Sequence, residues 1–216
     1  LTEKFPMPNI AEAIYKAHDM RYFTKLDLAK GYWKIEIDPE SRPYTAFCTS
    51  DNQYQFKRLA MGLKNSAAVF QKAMQSIFSE FAFKNVITYL DDILIMSKTF
   101  EEHMELVGKV INTLIKYGTK LNLEKCDFFK HKVTFLGHVI STEGIQKCPE
   151  YIDRIRNYKK PTTVTELRQF LGLVNFQRKF IKNCSILARP LSEKTNGPKK
   201  NKSWSLPRKW MRPFVS

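Results

Sequence analysis

Apolar residues at Ala67, Phe70, Met74, Ile77, Phe78 and Phe81 recur every three or four positions. This spacing predicts an amphipathic helix from Ser66 to Phe81 with its apolar stripe turned inward. The period then changes. Val86-Ile-Thr-Tyr-Leu90 and Ile93-Leu-Ile-Met96 are short apolar runs separated only by Asp91-Asp92, which predicts a tight hairpin with two acids at its tip. Thr99 with Glu102 forms a capping box that opens a second helix through Met104, Val107, Ile111, Leu114 and Ile115, closed by Gly118.

Upstream, Ile10 to Met20 reads as a short helix, and Tyr22 to Leu28 and Ile35 to Ile37 read as strands, with Lys30-Gly-Tyr-Trp33 as the turn between them. From Tyr44 to Phe56, two apolar runs flank the turn-forming cluster Thr49-Ser-Asp-Asn52 and predict a hairpin projecting from the core. Downstream, Val133 to Ile140 reads as a further strand pair. A second capping box, Thr163 with Glu166, starts a helix from Val164 to Ile181. Strand, helix and hairpin in this order describe an α+β fold. Composition shifts near Ser141, the expected domain boundary. From Glu193 onward seven basic residues face one acid, the signature of a linker or tail. No internal repeat is visible.

Across its 216 residues the chain is 43 % hydrophobic and 13 % aromatic, enough to fill a core. Lysine and arginine outnumber the acids 36 to 21, a formal charge of +15 that favours a polyanionic partner, nucleic acid or an anionic membrane. The helices carry mixed charge on their polar faces, which argues against a membrane-surface role. No apolar run approaches the roughly 18 residues of a membrane span, and Leu1 to Ile10 lacks a signal-peptide core, so an intracellular protein is expected. Cys48, Cys126, Cys148 and Cys184 have no zinc-ligand spacing and are expected as reduced thiols.

An Asp-Asp pair at a turn is most often turn chemistry alone. Here its flanks read as strands buried on both faces, where ionised carboxylates are costly without a compensating cation. Asp27, near the end of another apolar strand, is by itself an ordinary strand-end acid. If that strand lies beside the hairpin, three carboxylates meet at one sheet edge. Such hard oxygen ligands suit Mg²⁺, and paired ions would support phosphoryl transfer to a 3′-hydroxyl.

Phe23-Thr-Lys-Leu-Asp-Leu-Ala-Lys-Gly-Tyr-Trp33, Gly62-Leu-Lys-Asn-Ser-Ala-Ala-Val-Phe-Gln71, Tyr89-Leu-Asp-Asp92, Phe135-Leu-Gly-His-Val-Ile-Ser141 and Phe170-Leu-Gly-Leu-Val-Asn175 stand in the order found in gypsy-class LTR retrotransposon reverse transcriptases. The chain resembles that retrovirus-related Pol family over most of Leu1 to Leu191. The resemblance implies a right-hand polymerase: palm at 1–34 and 66–141, a partial fingers segment at 35–65, a helical thumb at 142–192 and a basic tail at 193–216. It implies a catalytic and metal-binding triad of Asp27, Asp91 and Asp92, joined by the main-chain carbonyl of Leu28, for two Mg²⁺ or Mn²⁺ ions. Tyr32 matches the family's gate against a ribose 2′-hydroxyl, and Met61 and Gly62 match the loop over the incoming nucleotide. Lys125 matches the lysine that protonates pyrophosphate. Phe135, Leu136, Gly137 and His138 match the primer grip, and the helix bearing Arg168, Arg178 and Lys179 looks like a thumb element that tracks a duplex backbone. The implied partners are an RNA or DNA template with its primer and deoxynucleoside triphosphates, in a cytoplasmic retroelement particle or the nucleus.

Some positions depart from the family pattern. Ala60 and Ala67 stand where prolines are usual and Met61 where an aromatic is usual, which enlarges the freedom of that loop. The family's upstream fingers strands are expected before Leu1. After Trp204 the family continues with an acidic helix. Leu206 to Val215 can be re-read one base earlier, with suitably chosen codons, as Pro-Glu-Glu-Met-Asp-Glu-Ala-Phe-Arg, so a frame slip near Ser205 is hypothesised. A genomic read without that alternative peptide would refute it. The sequence thus supports an RNA-directed DNA polymerase core first and a catalytically inactive remnant that binds nucleic acid second. Tyr32 and the thumb block argue against an RNA-templated RNA polymerase.

Overall fold

A computed structural model describes residues 5, 17, 19–81 and 85–195. The chain divides into two compact units, Leu1–Ile145 and Gln146–Ser216.

The first unit is organised by strand β1 (Tyr22–Ala29), which pairs antiparallel with three partners distant in sequence. Lys30, in the left-handed region, ends the strand and starts a 3-10 turn, Gly31–Lys34. Ile35 to Ile37 does not form the expected strand. Glu36 alone makes a bridge, to Arg58, flanked by hydrogen bonds from Ile37 N–H to Lys57 O and from Leu59 N–H to Ile35 O, too short a pairing to count as a strand. The projecting hairpin is present but short, β2 (Phe47–Cys48) with β3 (Gln53–Tyr54), its turn held by Thr49 and Asn52.

Helix α1 (Ser66–Ile77) carries most of the predicted stripe, with Phe70 and Met74 buried and Ile77 half-buried, while Ala67 is exposed and Ser66 is buried in the first turn instead. It ends before Phe78, and Phe81 follows in a separate 3-10 turn, Ser79–Phe81. The hairpin of β4 (Val86–Tyr89) and β5 (Asp92–Ser97) comes next. Tyr89 pairs with Asp92, so the turn is Leu90-Asp91, and Asp92 is the first residue of β5 rather than a turn residue. Helix α2 (Phe100–Lys116) starts at Thr99, whose hydroxyl accepts from Glu102 N–H. The reciprocal half of the predicted box differs: Glu102 accepts from Lys98 N–H. The buried stripe of α2 runs through His103, Leu106, Val107, Val110 and Leu114, while Met104 and Ile115 face outward. Both belong to the apolar positions that mark this helix in the sequence. The true stripe is centred a quarter-turn away, where a buried polar histidine hides it from an apolar count.

Strands β6 (Lys120–Leu121) and β7 (Asp127–Lys130) each pair with β1, completing a sheet in which β4, β5, β1 and β6 are successive neighbours and β7 joins β1 off that path. Alternation on β1 and β5 splits the core in two. Leu26, Leu28, Ile93 and Ile95 pack against Phe70 and Met74 of α1, Phe78 just beyond its end, and Val107, Val110 and Leu114 of α2. On the opposite face, Phe23, Leu94 and Met96 pack against Val133, Phe135 and Ile140. These last come from β8 (Lys132–Phe135) and β9 (His138–Ser141), the predicted strand pair, which a third strand, β10 (Gly144–Lys147), extends.

The second unit contains α3 (Pro149–Arg156), α4 (Val164–Phe176) and α5 (Cys184–Glu193) around Ile155, Leu167, Phe170, Val174 and Leu191. The Thr163/Glu166 capping box forms in both directions. Helix α4 stops at Phe176, and a 3-10 turn, Arg178–Phe180, replaces the last turn expected to reach Ile181. Of the expected Ile10–Met20 helix, only Ala17, Asp19 and Met20 are described, and Ala17 and Asp19 lie in turns. The tail beyond Thr195, with the hypothesised frame slip, lies outside the described residues.

Candidate active site

The antiparallel register of β1 on β5 places Asp27 directly opposite Asp92. Opposed residues in such a ladder hold their Cβ atoms about 4.5–5.5 Å apart, where like charges repel. Asp91, in the adjoining turn, is tied in by its main-chain oxygen, which accepts from Leu28 N–H at 2.9 Å. Asp27 is fixed in turn: its N–H donates to Cys126 Sγ at 3.4 Å and its carbonyl accepts from Asn122 N–H at 2.9 Å. Three acids are thus brought together, as the sequence suggested, by strands 65 residues apart.

Their electrostatics are unfavourable as they stand. Burial, then Asp27, then Asp92 raise the Asp91 carboxyl from its usual range to about 6. Asp92 is raised chiefly by burial and also by Asp27, while Lys25 and Lys125 pull it back down. Asp91 Oδ1 is buried without a hydrogen-bond partner. That oxygen is turned towards the 3-10 turn after β1: a Cβ placed on Gly31 would lie 2.8 Å from it and 2.8 Å from the Phe70 ring. Glycine is therefore required there by close approach. Among the described residues no three His, Cys, Asp or Glu side chains form a ready-made cation cage. The donor set itself, three hard carboxylates that Lys25 and Lys125 offset only in part, suits a divalent cation.

The other sequence-derived residues are distributed around this edge. Tyr32 is buried and stacks on Phe70, centroids 4.4 Å apart and rings within 13° of parallel. Burial and Asp91 both raise its phenol pKa. Met61 is 61 % exposed, and Gly62 has φ +89° with open space around it, consistent with a surface loop. Lys125 is exposed at the end of a 3-10 turn, Leu123–Lys125, and its charge reaches Asp92. Phe135 and His138 pair across the β8–β9 turn, whose central residues Leu136 and Gly137 both have positive φ, +47° and +74°. That backbone suits a two-residue hairpin. His138 Nδ1 donates to Leu136 O at 2.9 Å.

Sequence reasoning assigned no role to Gln71, Gly31 or Lys25. Gln71 is fully buried, and its amide bonds the β4–β5 hairpin backbone. Its signal was available, since a polar residue occupied the inward face of α1 beside Phe70. Leu90, which Gln71 contacts, has φ +49°, a conformation that costs a non-glycine residue roughly 1–2 kcal/mol.

The chain belongs to the reverse transcriptase (RNA-dependent DNA polymerase) family, whose pattern matches residues 2–140. Among its relatives, the retrovirus-related Pol polyprotein from transposon 297 of Drosophila melanogaster is 39 % identical over 192 residues, covering 89 % of this chain and 18 % of that protein. The corresponding polyprotein from transposon gypsy, also of Drosophila melanogaster, is 33 % identical, covering 91 % and 19 %. The chain therefore spans about a fifth of the length of these curated relatives. Among solved structures, the foamy viral protease-reverse transcriptase in complex with an RNA/DNA hybrid matches with a TM-score of 0.81 at 30 % identity, over 90 % of this chain and 27 % of that one. The same viral protein in complex with dsDNA matches with a TM-score of 0.82 at 28 % identity, over all of this chain and 45 % of that one. The gypsy-class resemblance and the α+β polymerase fold read from the motifs are both borne out. Among the described residues no helix is long and apolar enough to cross a membrane.

Proposed function

We propose that this chain is the core of an RNA-directed DNA polymerase that adds deoxynucleotides to a primer 3′-hydroxyl on an RNA or DNA template. In this reading the first unit supplies palm and partial fingers and the second supplies the thumb. The observation that carries it is the register of Asp27 on Asp92, with Asp91 beside them, in a chain of reverse transcriptase lineage. Natural sheets avoid opposing two carboxylates unless the repulsion serves a purpose.

Asp27, Asp91 and Asp92, with the Leu28 carbonyl, would hold two Mg²⁺ or Mn²⁺ ions. When bound, such ions activate the attacking hydroxyl and neutralise the developing charge on pyrophosphate. The remaining steps fall to the chain's own groups. Tyr32, held flat by Phe70, fills the space that a 2′-hydroxyl would need. The Met61-Gly62 loop covers the incoming nucleotide, its backbone able to approach closely at glycine. Lys125 offers a proton to the leaving pyrophosphate. The β8–β9 turn from Phe135 to His138 sets the primer terminus, while Arg168, Arg178 and Lys179 follow backbone phosphates. Solved relatives bound to an RNA/DNA hybrid and to dsDNA support these partners.

The test is primer extension on a homopolymer RNA template with deoxynucleotides and Mg²⁺ or Mn²⁺, against an Asp91→Asn, Asp92→Asn double variant. Metal-dependent extension that disappears in the variant is the expected result. Duplex binding without extension would replace this reading with that of a nucleic-acid-binding remnant.

A further inference from the structure

Among the described residues strand β4 is the edge of the first unit's sheet, so one side of its backbone has no strand neighbour there. With Tyr89 paired to Asp92, the main-chain groups of Thr88 and Leu90 point to that open side. Gln71 fills it. Its Nε2 donates to Thr88 O at 3.1 Å, and its Oε1 accepts from Leu90 N–H at 2.8 Å. A carboxamide presents one donor and one acceptor side by side, the pair a neighbouring strand would supply. Gln71 is completely buried, so water cannot substitute for it.

Its neighbour in sequence extends the effect. Phe70 stacks on Tyr32 and closes on Gly31, where an added Cβ would lie 2.8 Å from Asp91 Oδ1. Two consecutive residues of α1 therefore grip the two segments that flank the acids, one at the turn after β1 and one at the β4–β5 turn.

Given the proposed role of Asp91 and Asp92, we propose that Gln71 is a positioning residue for them. Its amide holds Leu90 in the left-handed conformation and so fixes the direction in which the two acids leave the turn. It touches neither substrate nor the acids' side chains and acts through the backbone of Thr88 and Leu90.

The experiment compares the chain with Gln71→Met, close in length and volume but lacking the amide, and Gln71→Glu, which keeps an acceptor for Leu90 N–H and loses the donor to Thr88. Amide hydrogen exchange is read first, without template or nucleotide. Leu90 is expected to exchange on the order of tenfold to a hundredfold faster in Gln71→Met, with Leu94 and Ile95 in β5 unchanged and Gln71→Glu intermediate. In primer extension, kcat is expected to fall up to about a hundredfold while KM for deoxynucleotide stays within about twofold, the mark of misplaced catalytic groups. Unchanged Leu90 exchange in both variants overturns the proposal, as does faster exchange with extension intact. If the parent chain does not extend primers, the polymerase reading fails by itself, and Leu90 exchange alone decides whether Gln71 holds the turn. Should Gln71→Met not fold, the same two readouts on Gln71→Glu stand in its place.

Discussion

Strands β1 and β5 carry polar groups at both ends of one ladder, and the two ends are built on opposite principles. At one end Thr24 and Ser97 close on His103 of α2, all three fully buried. Ser97 Oγ donates to Thr99 O at 2.9 Å, so it receives a proton from His103 Nδ1, also at 2.9 Å. His103 Nε2 then accepts from the Thr24 hydroxyl at 2.8 Å, whose oxygen accepts from Phe129 N–H at 3.1 Å. Every group is satisfied with the imidazole neutral, and burial lowers its pKa to about 4. At the other end, Asp27 faces Asp92 and an Asp91 oxygen has no partner. A closed network stabilises the scaffold, while the open end leaves carboxylates incompletely compensated where the proposed metal ions would bind.

The comparison breaks most sharply at the closed end. His103→Ala should destabilise the chain by about 3 kcal/mol in urea denaturation, from a cavity together with two stranded hydroxyls. A loss under about 1 kcal/mol would show that the network is incidental. Gly31→Ala should cost about 2 kcal/mol by crowding Asp91 and the Phe70 ring. In an Asp91→Ala background that cost should shrink, and strict additivity would disprove the contact. Asp91→Asn should run the other way, stabilising by about 1–2 kcal/mol at pH 7 because it removes a strained charge. An equal or lower melting temperature would count against strain at the site.

The pH dependence sharpens the same contrast. The folded pKa of His103 lies below its unfolded value, so the unfolded chain binds the extra proton between about pH 4 and 6.5, and this contribution grows as pH rises. The folded pKa of Asp91 lies above its unfolded value, so its contribution is present below pH 3.8 and lost as pH rises through about 6. The two oppose each other in the parent chain. Stability measured from pH 4 to 6.5 should therefore rise more steeply in Asp91→Asn and should fall in a His103→Gln variant. Parallel curves for all three would reject both assignments. The smallest effect belongs to Thr99→Ala, which loses a cap on α2 but leaves the Thr99 carbonyl for Ser97, at about 1 kcal/mol by thermal melting.

What the sequence made readable were features written within one element: most of the stripe of α1, the existence of the β4–β5 hairpin though not its turn, which is Leu90-Asp91 rather than Asp91-Asp92, the Thr163 box and the acids themselves. Features that depend on a distant partner were not. Ile35-Glu-Ile37 alternates as a strand should, yet its pairing with the segment around Arg58 is limited to a single bridge at Glu36. Helix α5 contains Pro190 and begins after a left-handed Asn183, both of which read as breaks. Helix α3 is eight residues long and mostly polar, and its one clear mark was Pro149 at the first turn. At the site, Asp27 and Asp92 were visible as residue types, whereas Gly31 and Gln71 take their roles from contacts made only after the sheet has closed.

That closure also sets an order in time. Strand β1 is buried between layers, but its partners β5 and β7 lie about 70 and 100 residues further along the chain. At a synthesis rate of about 5–20 residues per second, an apolar strand with both edges open waits roughly 5–20 s on the ribosome for the second of them. Folding of this core is therefore governed by long loop closures, and its slowest and most aggregation-exposed interval falls before Asp127 to Lys130 emerges.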